Sequence, residues 1–148
     1  MTCVRTDDVP LEKTSWLGDT GAQCHIKIAK ESDTSSSGLS VRMEDNSKVN
    51  VLRCKNVTIE DEVSNTMNFN NTRVVKGMAT NIISLLQLVG EGWKMSTSML
   101  NDKNTIQVSK KNQYMTFSEN VKKNLCFLTA NILTTQVAAS VINEEKMG

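Results

Sequence analysis

Apolar and polar residues alternate with a period of two along most of the first two thirds of this 148-residue chain. That period suits an extended strand with one face buried and does not suit a helix. Cys24, Ile26 and Ile28 alternate with His25 and Lys27, and Leu39, Val41 and Met43 alternate with Ser40, Arg42 and Glu44. A polar corner, Asp45-Asn46-Ser47, then precedes Val49 and Val51, which predicts a β-hairpin. Val57 with Ile59, Met67 with Phe69, and Arg73 to Val75 predict further short strands. The rhythm breaks over Asn81 to Val89, where Ile82, Leu85, Leu86, Leu88 and Val89 fit a short helix ended by Gly90 and Gly92. It resumes at Trp93, Met95, Thr97 and Met99, with the tryptophan and both methionines expected in the core. A turn at Asn101 to Asn104 leads to Ile106 and Val108, then Met115 and Phe117. After Asn131, the spacing of Ile132, Leu133, Val137 and Val141 permits a terminal helix. The expected fold is mostly β with one or two short helices.

The length predicts one domain with a substantial core. Seventeen basic and sixteen acidic residues leave a net charge of +1, and no basic block stands out, so nucleic acid is not an expected partner. Cys3, Cys24, Cys54 and Cys126 are scattered, and His25 is the single histidine. That arithmetic argues against structural zinc and for reduced thiols in an intracellular, cytoplasmic setting. The first fifteen residues have no apolar run, so secretion is not expected, and the sequons at Asn56 and Asn70 carry no weight. Leu125 to Ile142 contains eighteen residues without a charge, but Thr129, Asn131, Thr134, Thr135, Gln136 and Ser140 interrupt it. A buried strand or helix is the better reading there than a membrane span.

The tetrapeptide Asp19-Thr20-Gly21-Ala22 follows Trp16-Leu17-Gly18 and precedes the first alternating run. An acidic residue on a tight Thr-Gly turn between strands is one way to hold a carboxylate for general acid/base work. An ordinary Asx-type turn uses the same residues. The loop resembles the active-site loop of retroviral-type aspartic proteases, and most closely that of copia-type retrotransposon polyproteins. There the pattern is W-x-x-D-[ST]-G-A with a histidine a few residues on, as Trp16, Asp19 to Ala22 and His25 stand here. A second segment, Val74 to Leu88 followed by Glu91-Gly92-Trp93, is similar to the copia pattern V-x-G-[LM]-x-x-N-[LI]-[LI]-S-x-x-x-L.

The resemblance implies a retropepsin-like half-barrel over residues 14–118, an N-terminal extension over 1–13 and a C-terminal segment over 119–148. It implies that Asp19 is catalytic, that Thr20, Gly21 and Ala22 form the active-site loop, and that a hairpin from about Leu39 to Ile59 is a flap with Asp45, Asn46 and Ser47 near its tip. Asn81-Ile82-Ile83-Ser84 would pack behind the loop. Peptide hydrolysis of this type uses two carboxyl groups about 3 Å apart that share one proton. Water is the nucleophile, so no metal or organic cofactor is required.

The chain has a single Asp-(Ser/Thr)-Gly; Asp33-Thr34-Ser35 lacks the glycine. The second carboxylate must then come from a second copy, which makes the expected assembly a homodimer acting on a peptide or polyprotein. Three positions depart from the copia pattern: Gly18 where an aliphatic residue is usual, Asn46 after Asp45 where glycine is common, and Lys76 where proline is common. A thiol nucleophile at Cys24 is disfavoured, because the lone His25 next to it would point to the opposite face of a strand. His25 itself reads as a partly exposed or hydrogen-bonded strand residue. The rival reading is a truncated or domesticated protease-fold domain serving as a catalytically silent interaction module. Neither a zinc knuckle nor an integrase-type His/Cys cluster accompanies the motif here.

Overall fold

The alternating segments become ten strands and one short helix in the computed structural model, which describes residues 12–30, 32–43, 45–120 and 125–137. The strands are β1 (Glu12–Asp19), β2 (Ile26–Ile28), β3 (Leu39–Arg42), β4 (Lys48–Asp61), β5 (Thr66–Val75), β6 (Asn81–Ser84), β7 (Lys94–Leu100), β8 (Lys103–Lys110), β9 (Gln113–Glu119) and β10 (Cys126–Val137). The helix α1 (Leu85–Gly90) lies between β6 and β7. The fold is mostly β, as the alternation predicts.

The strands form one sheet in the order β3-β4-β5-β2-β6-β1-β10-β9-β8-β7, and a further pairing of β4 with β10 closes six of them into a barrel. Closure pairs the parts of β4 and β10 that would otherwise be left as open edges, while β3 and β7 remain the outer strands. β7 to β9 extend beyond β10 as an antiparallel meander. The barrel core is built from Trp16, Val57, Ile59, Met67, Phe69, Ile83 and Leu128, with Leu85 and Leu88 of α1 and Val108, Met115 and Phe117 of the meander packed into it. A second, smaller cluster holds Ile26, Val51, Cys54, Val75 and Ile82. Adjacent residues Ile82 and Ile83 enter different clusters. That is how a strand buried on both faces reads, as an unbroken apolar run rather than an alternating one.

The run at 81–84 is therefore a strand, and only Leu85–Gly90 is helical, which corrects the helix expected over Asn81 to Val89. Four backbone pairings to β1, from Trp16↔Asn81 to Asp19↔Ser84, hold it extended. Ser84 then caps α1 by accepting from the Gln87 backbone N–H at 2.9 Å.

The short strands expected around Val49, Val57, Met67 and Val74 merge into two long ones, β4 and β5. Register shifts at Val51/Arg53 and Lys55/Val57 bend β4 out of its hairpin with β3 and into the barrel. The helix anticipated after Asn131 is instead the second half of β10 as far as Val137. This strand is central, pairing with β1, β4 and β9. Residues 138–148 of that segment, and 1–11 of the N-terminal extension, lie outside the described residues. No helix among the described residues is long and apolar enough to cross a membrane.

Trp93 is buried, but Met95 and Met99 are 42% and 67% exposed, so the methionines do not join the core expected for them. β7 pairs only with β8, and nothing described covers its faces. The turn between these two strands places Asn101 and Asp102 at φ +53° and +64°, the mirror-image geometry that a two-residue hairpin loop needs.

Candidate active site

β1 pairs antiparallel with β10 as far as Leu17 and parallel with β6 through its last residue, which gives that residue a fixed place. That residue is Asp19. The chain turns immediately after it, and the Gly21 N–H donates to Asp19 Oδ1 at 2.7 Å. Asp19 is half-buried and Thr20 is exposed. Asp19, Gly21 and Ala22 line a cleft of about 750 Å³ together with Gln23, Cys24, Ile26 and Ile82.

The β3–β4 hairpin lines the same cleft, contributing Val41, Arg42, Met43 and Asp45. Its tip is a tight turn: Met43 N–H donates to Ser47 O at 2.8 Å, and Asn46 N–H donates to Met43 O at 2.9 Å. Asn46 adopts φ +71°, a conformation that asparagine tolerates in place of the usual glycine. Asp45 Oδ1 accepts from the Ser47 hydroxyl at 2.6 Å and from its N–H at 2.9 Å. These bonds hold the Asp45 carboxyl below the usual carboxylate range, so it stays charged. Asn46 and Ser47 shape the tip but do not line the cleft, and neither does Thr20.

Asp33, in the segment that resembles the loop, lies elsewhere. It pairs with Arg53, and its Oδ1 accepts from Ser35 N–H at 3.0 Å and Oγ at 2.7 Å. The Arg53 guanidinium first, and Ser35 second, hold this carboxyl well below its ordinary range. It is a structural ion pair outside the Asp19 cleft.

Sequence reasoning placed Ser84 in the segment packed behind the loop but gave its side chain no role of its own. It is the register partner of Asp19, and its hydroxyl donates to Ala22 O at 2.6 Å while its N–H donates to His25 Nδ1 at 2.9 Å. Asn81, three residues earlier, donates to Ser15 O at 3.3 Å and accepts from Ile28 N–H at 2.8 Å, tying β1 to β2. The polar ends of an otherwise apolar four-residue strand were the available signal.

A family model described as the beta-barrel domain of Pol polyprotein matches residues 16–93, more than half of the chain. The chain belongs to that family. It is thus a domain of a retrotransposon or retroviral polyprotein. No curated protein and no solved structure matches it. The matched stretch of this Pol beta-barrel domain runs from Trp16 to Trp93 and includes the Asp19 turn, the β3–β4 hairpin and the β6–α1 segment.

Gly18, which stands in the Pol beta-barrel domain where an aliphatic residue is usual in the copia pattern, has a packing reason. A Cβ built there would stand 3.0 Å from Phe117 Cδ2 and 3.4 Å from Leu85 Cδ1. The space of an aliphatic side chain is occupied by a phenylalanine from β9. Gly18→Ala is therefore expected to cost about 1–3 kcal/mol through overpacking beside Asp19. Chemical denaturation would show this as a lower midpoint at unchanged slope, and an unchanged midpoint would mean that the ring moves freely.

Of the two readings for His25 of the Pol beta-barrel domain, the hydrogen-bonded one holds: the ring accepts from Ser84 N–H, is fully buried rather than partly exposed, and tilts against Phe69 at 5.0 Å. Burial, reinforced by the nearby Arg73 guanidinium, lowers it from 6.5 to about 4. The unfolded chain takes up this proton near pH 6.5 and the folded chain only near 4, so stability falls as the pH drops between those values. The gap corresponds to roughly 3 kcal/mol, present in full above the upper limit. Urea unfolding at stepped pH should show that loss in the wild type and a loss smaller by this amount in His25→Asn. Parallel curves for the two proteins would mean a solvated ring.

Proposed function

We propose that this Pol beta-barrel domain is the aspartic endopeptidase of a copia-type retrotransposon, cutting extended segments of the element's own polyprotein as a homodimer. The observation that carries the reading is the shared cleft: Asp19 lines it together with Val41, Arg42, Met43 and Asp45 of the hairpin that would be the flap. Apolar side chains lining it (Ala22, Ile26, Met43 and Ile82) suit the side chains of an extended peptide, and a hairpin lid excludes water from the reacting bond.

Among the described residues two carboxylates line this cleft, Asp19 and Asp45. Asp45 is committed to Ser47 and held charged, so it makes a poor proton-sharing partner within one chain. The second acid is the Asp19 of another copy, brought to a two-fold axis by an isologous interface. Gly21 lets two such loops approach closely, and the exposed Thr20 hydroxyl has the length to reach the facing loop.

One carboxylate of the pair draws a proton from a water lodged between them, and the protonated one donates to the scissile carbonyl oxygen. Their roles reverse to expel the amine. The pair titrates as a unit. The reaction needs no cofactor, nucleic acid or membrane, and the reduced thiols Cys24, Cys54 and Cys126 suit an intracellular setting.

The test joins activity to mass. Purified protein should sediment as a dimer, cleave a polyprotein-derived peptide faster at mildly acidic pH, and be blocked by a hydroxyl-bearing transition-state peptide mimic. A protein that stays monomeric at high concentration and cleaves nothing would leave the silent interaction module as the function.

A further inference from the structure

A core built for stability alone has little use for an imidazole. His25 is 0% exposed, and its Nε2 has no hydrogen-bond partner among the described residues. An aliphatic or phenyl side chain at that place would avoid burying this polar atom. What the imidazole supplies is an acceptor: Nδ1 receives the Ser84 N–H at 2.9 Å. Ser84 stands opposite Asp19 in the β1–β6 register, donates its hydroxyl to Ala22 O, and caps α1 through Gln87 N–H. The loop is thereby pinned at both ends, by strand pairing before Asp19 and by the His25–Ser84–Ala22 chain after it. The backbone of His25 is held too, since Arg73 N–H donates to its carbonyl at 2.9 Å.

We propose that His25 is a positioning residue for the Asp19 loop, acting through Ser84 as a neutral imidazole that carries its proton on Nε2. Its bearing on catalysis rests on the protease reading; its bearing on loop geometry does not. Proton uptake would occur at Nδ1, the atom that accepts from Ser84, so the cationic ring cannot make this contact. Arg73 on β5 is the charged side chain whose field reaches the ring, and its sign disfavours that second charge. The ring also meets the Phe69 ring from β5 and the Ser84 backbone N–H from β6, and neither group titrates.

Two variants separate positioning from bulk packing. His25→Phe keeps an aromatic ring against Phe69 but removes the acceptor. His25→Asn loses ring volume but keeps an oxygen where Nδ1 stood. Amide hydrogen exchange at Ser84 and imidazole nitrogen shifts can be read whether or not any peptide is cleaved. The wild type should show a neutral Nε2–H ring and a protected Ser84 amide. His25→Phe should lose the protection and, in an active dimer, about tenfold to hundredfold in kcat with KM little changed. His25→Asn should restore both.

A cationic or Nδ1–H ring at neutral pH overturns the proposal, as does a His25→Phe protein with wild-type Ser84 protection. If His25→Phe does not fold, an unprotected Ser84 amide in His25→Asn overturns it equally. A wild type that shows the predicted tautomer and protection but cleaves nothing refutes the protease reading and leaves the positioning contact standing.

Discussion

Replacing Asp19 with asparagine is expected to lower peptide cleavage by about 10³-fold or more while leaving fold and dimer intact. The amide oxygen of the new side chain can still accept the Gly21 N–H that Asp19 Oδ1 accepts at 2.7 Å, so the turn keeps its shape. The side chain is half-buried at the mouth of an open cleft, and the change adds no volume. On the protease reading, what disappears is the shared proton: an amide neither draws a proton from water nor donates one reversibly. A mixed dimer with one Asp and one Asn would also lose the dyad, so co-expressed variant should depress wild-type activity. Hydrolysis rates paired with sedimentation mass decide the matter. If the Asn variant cleaves as fast as wild type at the same mass, the catalytic assignment of Asp19 is lost.

Trp16→Ala is expected to be the most destabilising single change near the site, by about 3–5 kcal/mol. Trp16 is fully buried, its ring lies 5.6 Å from Phe69, and its Nε1–H donates to Thr14 Oγ1 at 2.6 Å. Truncation would open a cavity at the centre of the barrel core and leave β1 less firmly seated three residues before Asp19. The thermal midpoint should fall by on the order of 10 °C. Cleavage lost in this variant should return on cooling, because it reflects the unfolded fraction, whereas Asp19→Asn should stay inactive at every temperature. A loss under about 1 kcal/mol would mean that the indole does not fill the core as described.

Local pattern was enough wherever a segment's partners are close in sequence. The β3–β4 hairpin could be read from alternation around Asp45-Asn46-Ser47, because neighbouring strands and a turn residue that tolerates positive φ specify it among themselves. Pattern misled where burial comes from afar. Asn81 to Ser84 looked helical because both its faces are apolar, a condition imposed by two separate clusters. Met95 and Met99 alternate as core residues do, yet no element packs over them in the described structure. Asn131 to Val137 was drawn into a strand by pairing with β4, more than seventy positions earlier in the chain.

From the residues alone came the mostly-β character, the single Asp-Thr-Gly turn and hence the arithmetic of one acid per chain, because these depend on residue identity and short-range spacing. Only the folded chain brought the β3–β4 hairpin to the cleft that Asp19 lines, seated Phe117 where Gly18 has no side chain, and joined His25 to the loop through Ser84. Each of those contacts spans a sequence separation across which one-dimensional periodicity carries no information. They arise from barrel closure, which sets the register among distant strands all at once.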